Sequence, residues 1–318
     1  MKRNAAISTA CHGLAASLVV ASLFGTAAAQ TPEQTRTVKQ DPGKIVYWVL
    51  PGPRKLDPAA FGTPDDPKAL LMPRIKEARE GQYPPTVPDL LMKVPFLVGL
   101  PMKARTTASD GSWVLQAPNP FSDKARIVSG SFNAELEDYV DEDQPGPPDE
   151  TPDKASMTAE FKDPAGNEYR VELAMVVQPP LPGYETQGGV MIDSEHHGST
   201  GTGSPLMPEV KTYAAFWGVG MISVNGKPAG KRMIHLMTTE PVRDRDYHLV
   251  FQDQLPLAPE ERQFRDQDHH THLVVLPIEP RPNGPVFAPA PTAFKLPNGM
   301  MQPFMHIMFE QDEIVGED

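Results

Sequence analysis

The run Met233-Ile234-His235-Leu236-Met237 places two thioethers around an imidazole. In an extended strand alternate side chains point to opposite faces, so Met233, His235 and Met237 share one face and Ile234 and Leu236 take the other. Thioether and imidazole are soft donors that suit copper, above all Cu(I). The same pattern also describes a buried strand with methionine as filler.

Eight histidines follow residue 29, and all lie between His196 and His306. His196 and His197 sit in a polar loop that enters the run Gly198-Ser199-Thr200-Gly201-Thr202-Gly203-Ser204. His270 and His272 are two residues apart and share a strand face, as do His306 and Met308 near the C-terminus. The expected metal ligands are therefore His235, His270, His272 and His306, with Met233, Met237 and Met308 as soft donors. His196 and His197 would form a mobile outer site. Copper is the first metal expected and zinc the second, with Glu195 or Asp268 as an oxygen ligand for zinc.

Other chemistry is largely excluded. There is no Gly-x-Ser-x-Gly elbow and no His-Glu-x-x-His pair, and the glycine run lacks the Gly-Lys-Ser/Thr ending of a phosphate loop. Cys11 is the only cysteine and precedes the mature chain, which excludes a blue-copper centre, an iron–sulfur cluster and a cysteine nucleophile. Two alternatives to metal binding stand. One is a metal-free β module for a small apolar ligand, a glycan or a partner protein. The other is a hydrolase or lyase assembled from separate loops, with His196 or His197 as base.

The elements that must position these groups are short strands. All 37 prolines follow the N-terminal apolar run, well above the usual share of about 5%. Proline is restricted to turns, strand edges and first helical turns, which opposes a mostly helical fold. Met157, Ala159 and Phe161 alternate with polar neighbours, and after the turn 163–167 so do Tyr169, Val171, Leu173 and Met175. That is an antiparallel hairpin with one face buried. A second hairpin is expected from Thr212–Val224 and Lys231–Thr239, with the turn over 225–230. Strands are also expected at 44–50, 247–251, 272–276 and 304–309, and a helix at 67–80 kinked by Pro73 and stopped by Gly81.

The expected architecture is mainly β, an antiparallel sandwich or distorted barrel over 112–318 with long proline-rich loops. A small strand/helix segment at 30–111 packs against it, its residues 30–43 a loose arm. The acidic stretch 137–156 reads as a solvated loop.

Met1-Lys2-Arg3, the apolar run 14–24 and the small residues ending at Ala29 have the layout of a signal peptide, residues 1–29. The expected product is an exported protein, periplasmic or extracellular, without a transmembrane span and acting as a binding protein rather than an enzyme. Net charge is −12, and removing Lys2 and Arg3 leaves 27 basic against 41 acidic residues, or −14. Such a surface repels nucleic acid, so a metal ion or small molecule is the expected partner.

Overall fold

The computed structural model describes residues 31–68, 75–76, 78–97, 100–115, 119–140, 151–179, 181–182, 184, 189–200, 203–244, 248–249 and 269–316. The expected signal peptide, the acidic run 141–150, Asp268, the middle of the expected helix and residues 247, 250 and 251 of the expected strand at 247–251 lie outside them.

The chain is mostly strand, and its main element is a large antiparallel sheet curled into a half-barrel. The first strands are β1 (Gln34–Gln40), β2 (Val46–Val49) and β3 (Arg54–Lys55), followed by a helical turn α1 (Pro58–Phe61) and helix α2 (Val87–Lys93). Short strands β4 (Arg105–Thr107), β5 (Trp113–Leu115) and β6 (Ala125–Val128) come next. The long strands are β7 (Gly130–Asp138), β8 (Lys154–Lys162), β9 (Glu168–Val176), β10 (Val190–His196), β11 (Val210–Val224) and β12 (Lys227–Thr239). The chain ends with β13 (His270–Val275), β14 (Ile278–Glu279), β15 (Val286–Phe287), β16 (Met305–Phe309) and β17 (Glu313–Ile314).

The large sheet runs β17-β1-β7-β8-β9-β11-β12-β13-β16-β2-β6, with β10 paired to β11. Its curl is fixed by contacts between strands far apart in that order. Phe132 of β7 meets Phe309 of β16 with ring centres 4.5 Å apart, and Trp48 of β2 meets Tyr169 of β9 at 5.5 Å. These residues belong to one apolar cluster on the inner face. A second cluster covers the outer face of β11, β12 and β13, where Trp217, Met233, Met237 and Val274 pack against Phe61, Leu91 and Leu97.

Several expectations change. Pro32–Asp318 form one compact unit, and β1 and β2 are members of the large sheet rather than a segment packed on it. The loose arm is strand β1, which pairs along its whole length with β7 and buries Val38 and Gln40. Pro67 does not begin a helix; it bridges Gly62. Gly81, at φ 87°, breaks the helical geometry inside the turn at 78–82. In the second hairpin Asn225 and Gly226, both at positive φ, make the turn alone, and β12 resumes at Lys227. That pair is the residue combination a tight two-residue turn requires.

β9 carries a bulge where it pairs with β11. Val219 pairs with Met175 but Gly220 pairs with Leu173, so Ala174 is the extra residue. A one-residue slip moves a side chain to the opposite face. Tyr169, Val171 and Leu173 therefore face the inner core, while Met175 is 46% exposed on the outer face. Among the described residues no helix is long and apolar enough to cross a membrane.

Candidate metal centre

The histidines gather on the outer face of the half-barrel, beneath the segment that contains α1 and α2. On β12, Ile234 and Leu236 enter the inner core while Met233 and Met237 face the outer one, with His235 between them. Strand register then sets the neighbours. His235 lies opposite Trp217 and Val274, Met237 opposite His272, His272 opposite Met308, and Val274 opposite His306. Directly opposed residues in a sheet share a face, so these side chains stand together. His197 reaches the same place from the end of β10, held at φ 67° beside Gly198 at φ 54°.

His197, His235, Met237, His272 and His306 line one cavity of about 20 Å³, closed by Leu97, Phe121, Tyr184 and Met207. That volume holds about one water-sized sphere. It admits an ion or a water, not an organic ligand, whose sites usually measure about 300–1,000 Å³.

Three of the histidines form a hydrogen-bonded chain. His306 Nδ1 lies 2.5 Å from Pro120 O, His272 Nδ1 2.8 Å from His306 Nε2, and His270 Nε2 2.9 Å from His272 Nε2. His270 Nδ1 is 3.2 Å from Glu310 Oε1. A carbonyl only accepts, so His306 Nδ1–H donates to Pro120 and its Nε2 accepts from His272 Nδ1–H. His272 Nε2 in turn accepts from His270 Nε2–H. One further proton must lie between His270 Nδ1 and the Glu310 carboxylate. Every ring nitrogen of this chain is engaged, and none offers a lone pair to a metal.

The other group keeps lone pairs. His235 Nδ1–H donates to Phe216 O at 2.9 Å, which leaves Nε2 as an acceptor that is buried and has no hydrogen-bond partner. The ring stacks on Trp217 at 4.1 Å and 10°. His197 Nε2 lies 3.0 Å from Met237 Sδ, and its Nδ1 is buried and unpartnered. The Ser204 backbone favours the protonated ring slightly, without reaching hydrogen-bond geometry at Nδ1. Two electron pairs facing each other at 3.0 Å repel unless a proton or cation shares them.

Burial keeps these rings neutral. It lowers His235 to about 3 and His196 to about 4, and holds His197 and His272 well below the ordinary value. His306 is lowered to about 3 by burial, with the nearby Arg243 and Arg54 adding to the shift. Arg54 itself falls to about 10 through burial, while Asp123 and Asp57 hold it up and Arg243 pulls it further down. Among the described residues no carboxylate lines the cavity. The Born cost of burying an ion grows with the square of its charge, so a monovalent ion is far easier to place here than a divalent one.

The remaining expected ligands are spread more widely. Met308 Sδ accepts from Arg243 Nε at 3.1 Å. His196 lies beside Ser194 Oγ at 3.2 Å, its ring centre 6.1 Å from that of His197, and it does not line the cavity. Both histidines are 3% exposed, so the mobile outer site expected of them is a buried one. Met233 lines a separate groove. Glu195 is an exposed residue of β10. Among the described residues no three His, Cys, Asp or Glu side chains are arranged to hold a metal ion. A centre built from the described residues therefore draws on a thioether beside its imidazoles.

Sequence reading did not single out Glu310, Pro120, Arg54 or Arg243. None of the four left a trace in the local sequence: Arg54 is followed by Lys55, and Arg243 stands in the charged run Arg243-Asp244-Arg245-Asp246. No family model, curated protein or solved structure matches the chain.

Proposed function

We propose that this is an exported β protein that binds a single Cu(I) ion through His197 Nε2, His235 Nε2 and Met237 Sδ. The observation that carries the reading is the buried, unpartnered His235 Nε2 beside a second imidazole nitrogen that meets a thioether at 3.0 Å. Metal bonds of ~2.0 Å to nitrogen and ~2.3 Å to sulfur span at most ~4.3 Å between the two donors, so 3.0 Å lies within reach. Two imidazoles on one ion have ring centres no more than ~6.3 Å apart by the same bond lengths. Those of His197 and His235 are 6.1 Å apart.

Softness and charge both select copper. Two neutral imidazoles and a thioether suit Cu(I), whereas zinc favours four harder or anionic donors. The alternatives are less well supported. An apolar ligand or glycan does not fit the 20 Å³ cavity in which the histidines meet. Ser204, the hydroxyl nearest to hand for a hydrolase, donates its proton to Phe96 O at 2.7 Å.

The test is anaerobic titration of the mature protein with Cu(I) against a chromophoric chelator, with melting temperature followed in parallel. One equivalent is expected to be retained with a rise in Tm, because a ligand that binds only the folded state stabilises it. Zn(II) should leave Tm unchanged. Met237→Leu should weaken Cu(I) binding by roughly tenfold or more, the loss of about 1.4 kcal/mol or more of binding energy. Absence of Cu(I) retention by the folded wild-type protein would refute the reading.

A further inference from the structure

Beside the buried centre a groove of about 790 Å³ opens on the outer face of β9, β11 and β12. Its walls are the 84–86 segment and the 280–285 turn. They approach so closely that a Cβ on Gly284, at φ 106°, would stand 2.5 Å from Pro84 Cβ. Pro84, Pro85, Pro280, Pro282 and Pro285 line it, and none has an N–H to donate. Two thioethers line it as well, those of Met175 and Met233. They lie on the strands flanking Val219, which pairs with both residues.

The groove and the cavity share a strand face. Met233 lies two residues before His235, a step of about 7 Å along an extended strand. Exposure falls from 46% at Met175 to 2% at Met233, 5% at His235 and 3% at Met237. Soft donors thus run in single file from solvent to the buried centre. The bulge at Ala174 begins that file, since without it Met175 would face the inner core.

We propose that this groove is the entry site for Cu(I), with Met175 and Met233 as the first ligands of an incoming ion that passes to His235 and Met237. The inference rests on the Cu(I) reading of the buried centre. Transfer is ligand exchange: one thioether–copper bond forms as the previous one breaks, and the ion stays Cu(I) throughout. Lys231 and Arg281 also line the groove, and a divalent cation meets twice the repulsion that a monovalent one does. Long, unbranched methionine side chains with three rotatable bonds allow the exchange without backbone movement.

The test is stopped-flow loading of the mature protein with Cu(I) supplied as its acetonitrile complex, alongside equilibrium affinity and Tm for each variant. Met175→Leu should slow loading about tenfold, the effect of roughly 1.4 kcal/mol on the barrier, with affinity and Tm unchanged. Met221→Leu is the control, because Met221 is 48% exposed and does not line the groove. It should load at the wild-type rate. Loading by Met175→Leu at the wild-type rate, an equal slowing by Met221→Leu, or a Met175→Leu effect on affinity instead of rate would each overturn the entry role while leaving the buried centre intact. Failure of the wild-type protein to take up Cu(I) would overturn both.

Discussion

A neutral imidazole has one N–H and one lone pair, and the two groups of histidines use them differently. In the chain from Pro120 to Glu310 each ring donates one way and accepts the other, so a single backbone carbonyl sets three tautomers. In the other pair His197 Nε2 meets only the Met237 thioether, and His235 Nε2 has no hydrogen-bond partner. That contrast, not the number of histidines, distinguishes a structural relay from a ligand set. The relay ends at a carboxylate, and Glu310→Leu would leave His270 Nδ1 without that partner in a buried position. The expected loss of stability is about 1–3 kcal/mol, measured by denaturant unfolding. Nitrogen chemical shifts should place the His306 proton on Nδ1. A His306 protonated only at Nε2 would show that Pro120 does not anchor the chain.

At the level of strands, the bulge in β9 and the glycines facing it decide which side chains reach the outer face. A Cβ on Gly218 would stand 2.3 Å from Leu173 Cδ1 and 2.8 Å from Met175 O, and the second of these is backbone that cannot rotate away. Gly218→Ala should therefore push β9 from β11 and destabilise by roughly 1–3 kcal/mol, the usual range for overpacking. Thermal unfolding checks it, and an unchanged Tm would mean that β9 yields freely. The bulge also marks where the sequence stopped being readable. The alternation from Tyr169 to Leu173 gave the hairpin, and continuing it to Met175 gave the wrong face, because a bulge leaves the alternation of residue types intact. The Met233, His235 and Met237 stripe was readable because period two is local. Its meeting with His197 was not, since that depends on β10 pairing with β11 and on a left-handed turn at the end of β10. β1 was misread because its residues are nearly all polar, and only Val38 and Gln40 are buried.

At the scale of the molecule, one sheet has an apolar cluster on each face, and buried neutral histidines stand within the outer one. Their presence makes stability depend on pH with a definite sign. The unfolded chain takes up protons near pH 6.5, whereas the folded chain holds His235 and His306 neutral to about 3, His196 to about 4, and His197 and His272 well below the ordinary value. Above pH 6.5 neither state binds these protons and nothing is lost. As pH falls from 6.5 toward the folded-state values the unfolded chain binds more, and each such group removes up to about 1.4 kcal/mol per pH unit. Several acting together exhaust the roughly 5–15 kcal/mol of an ordinary folded protein within one to two units. The metal-free protein is therefore expected to unfold between about pH 5.5 and 4.5, before most folded-state carboxylates titrate. Far-ultraviolet circular dichroism and tryptophan fluorescence should follow the transition together, since Trp217 stacks on His235. Bound Cu(I) competes with protons for His197 and His235 and should move the midpoint lower. Retention of native structure at pH 4 without metal would mean that these rings accept protons in place, in a cavity far more open to water than 20 Å³ of enclosed space allows.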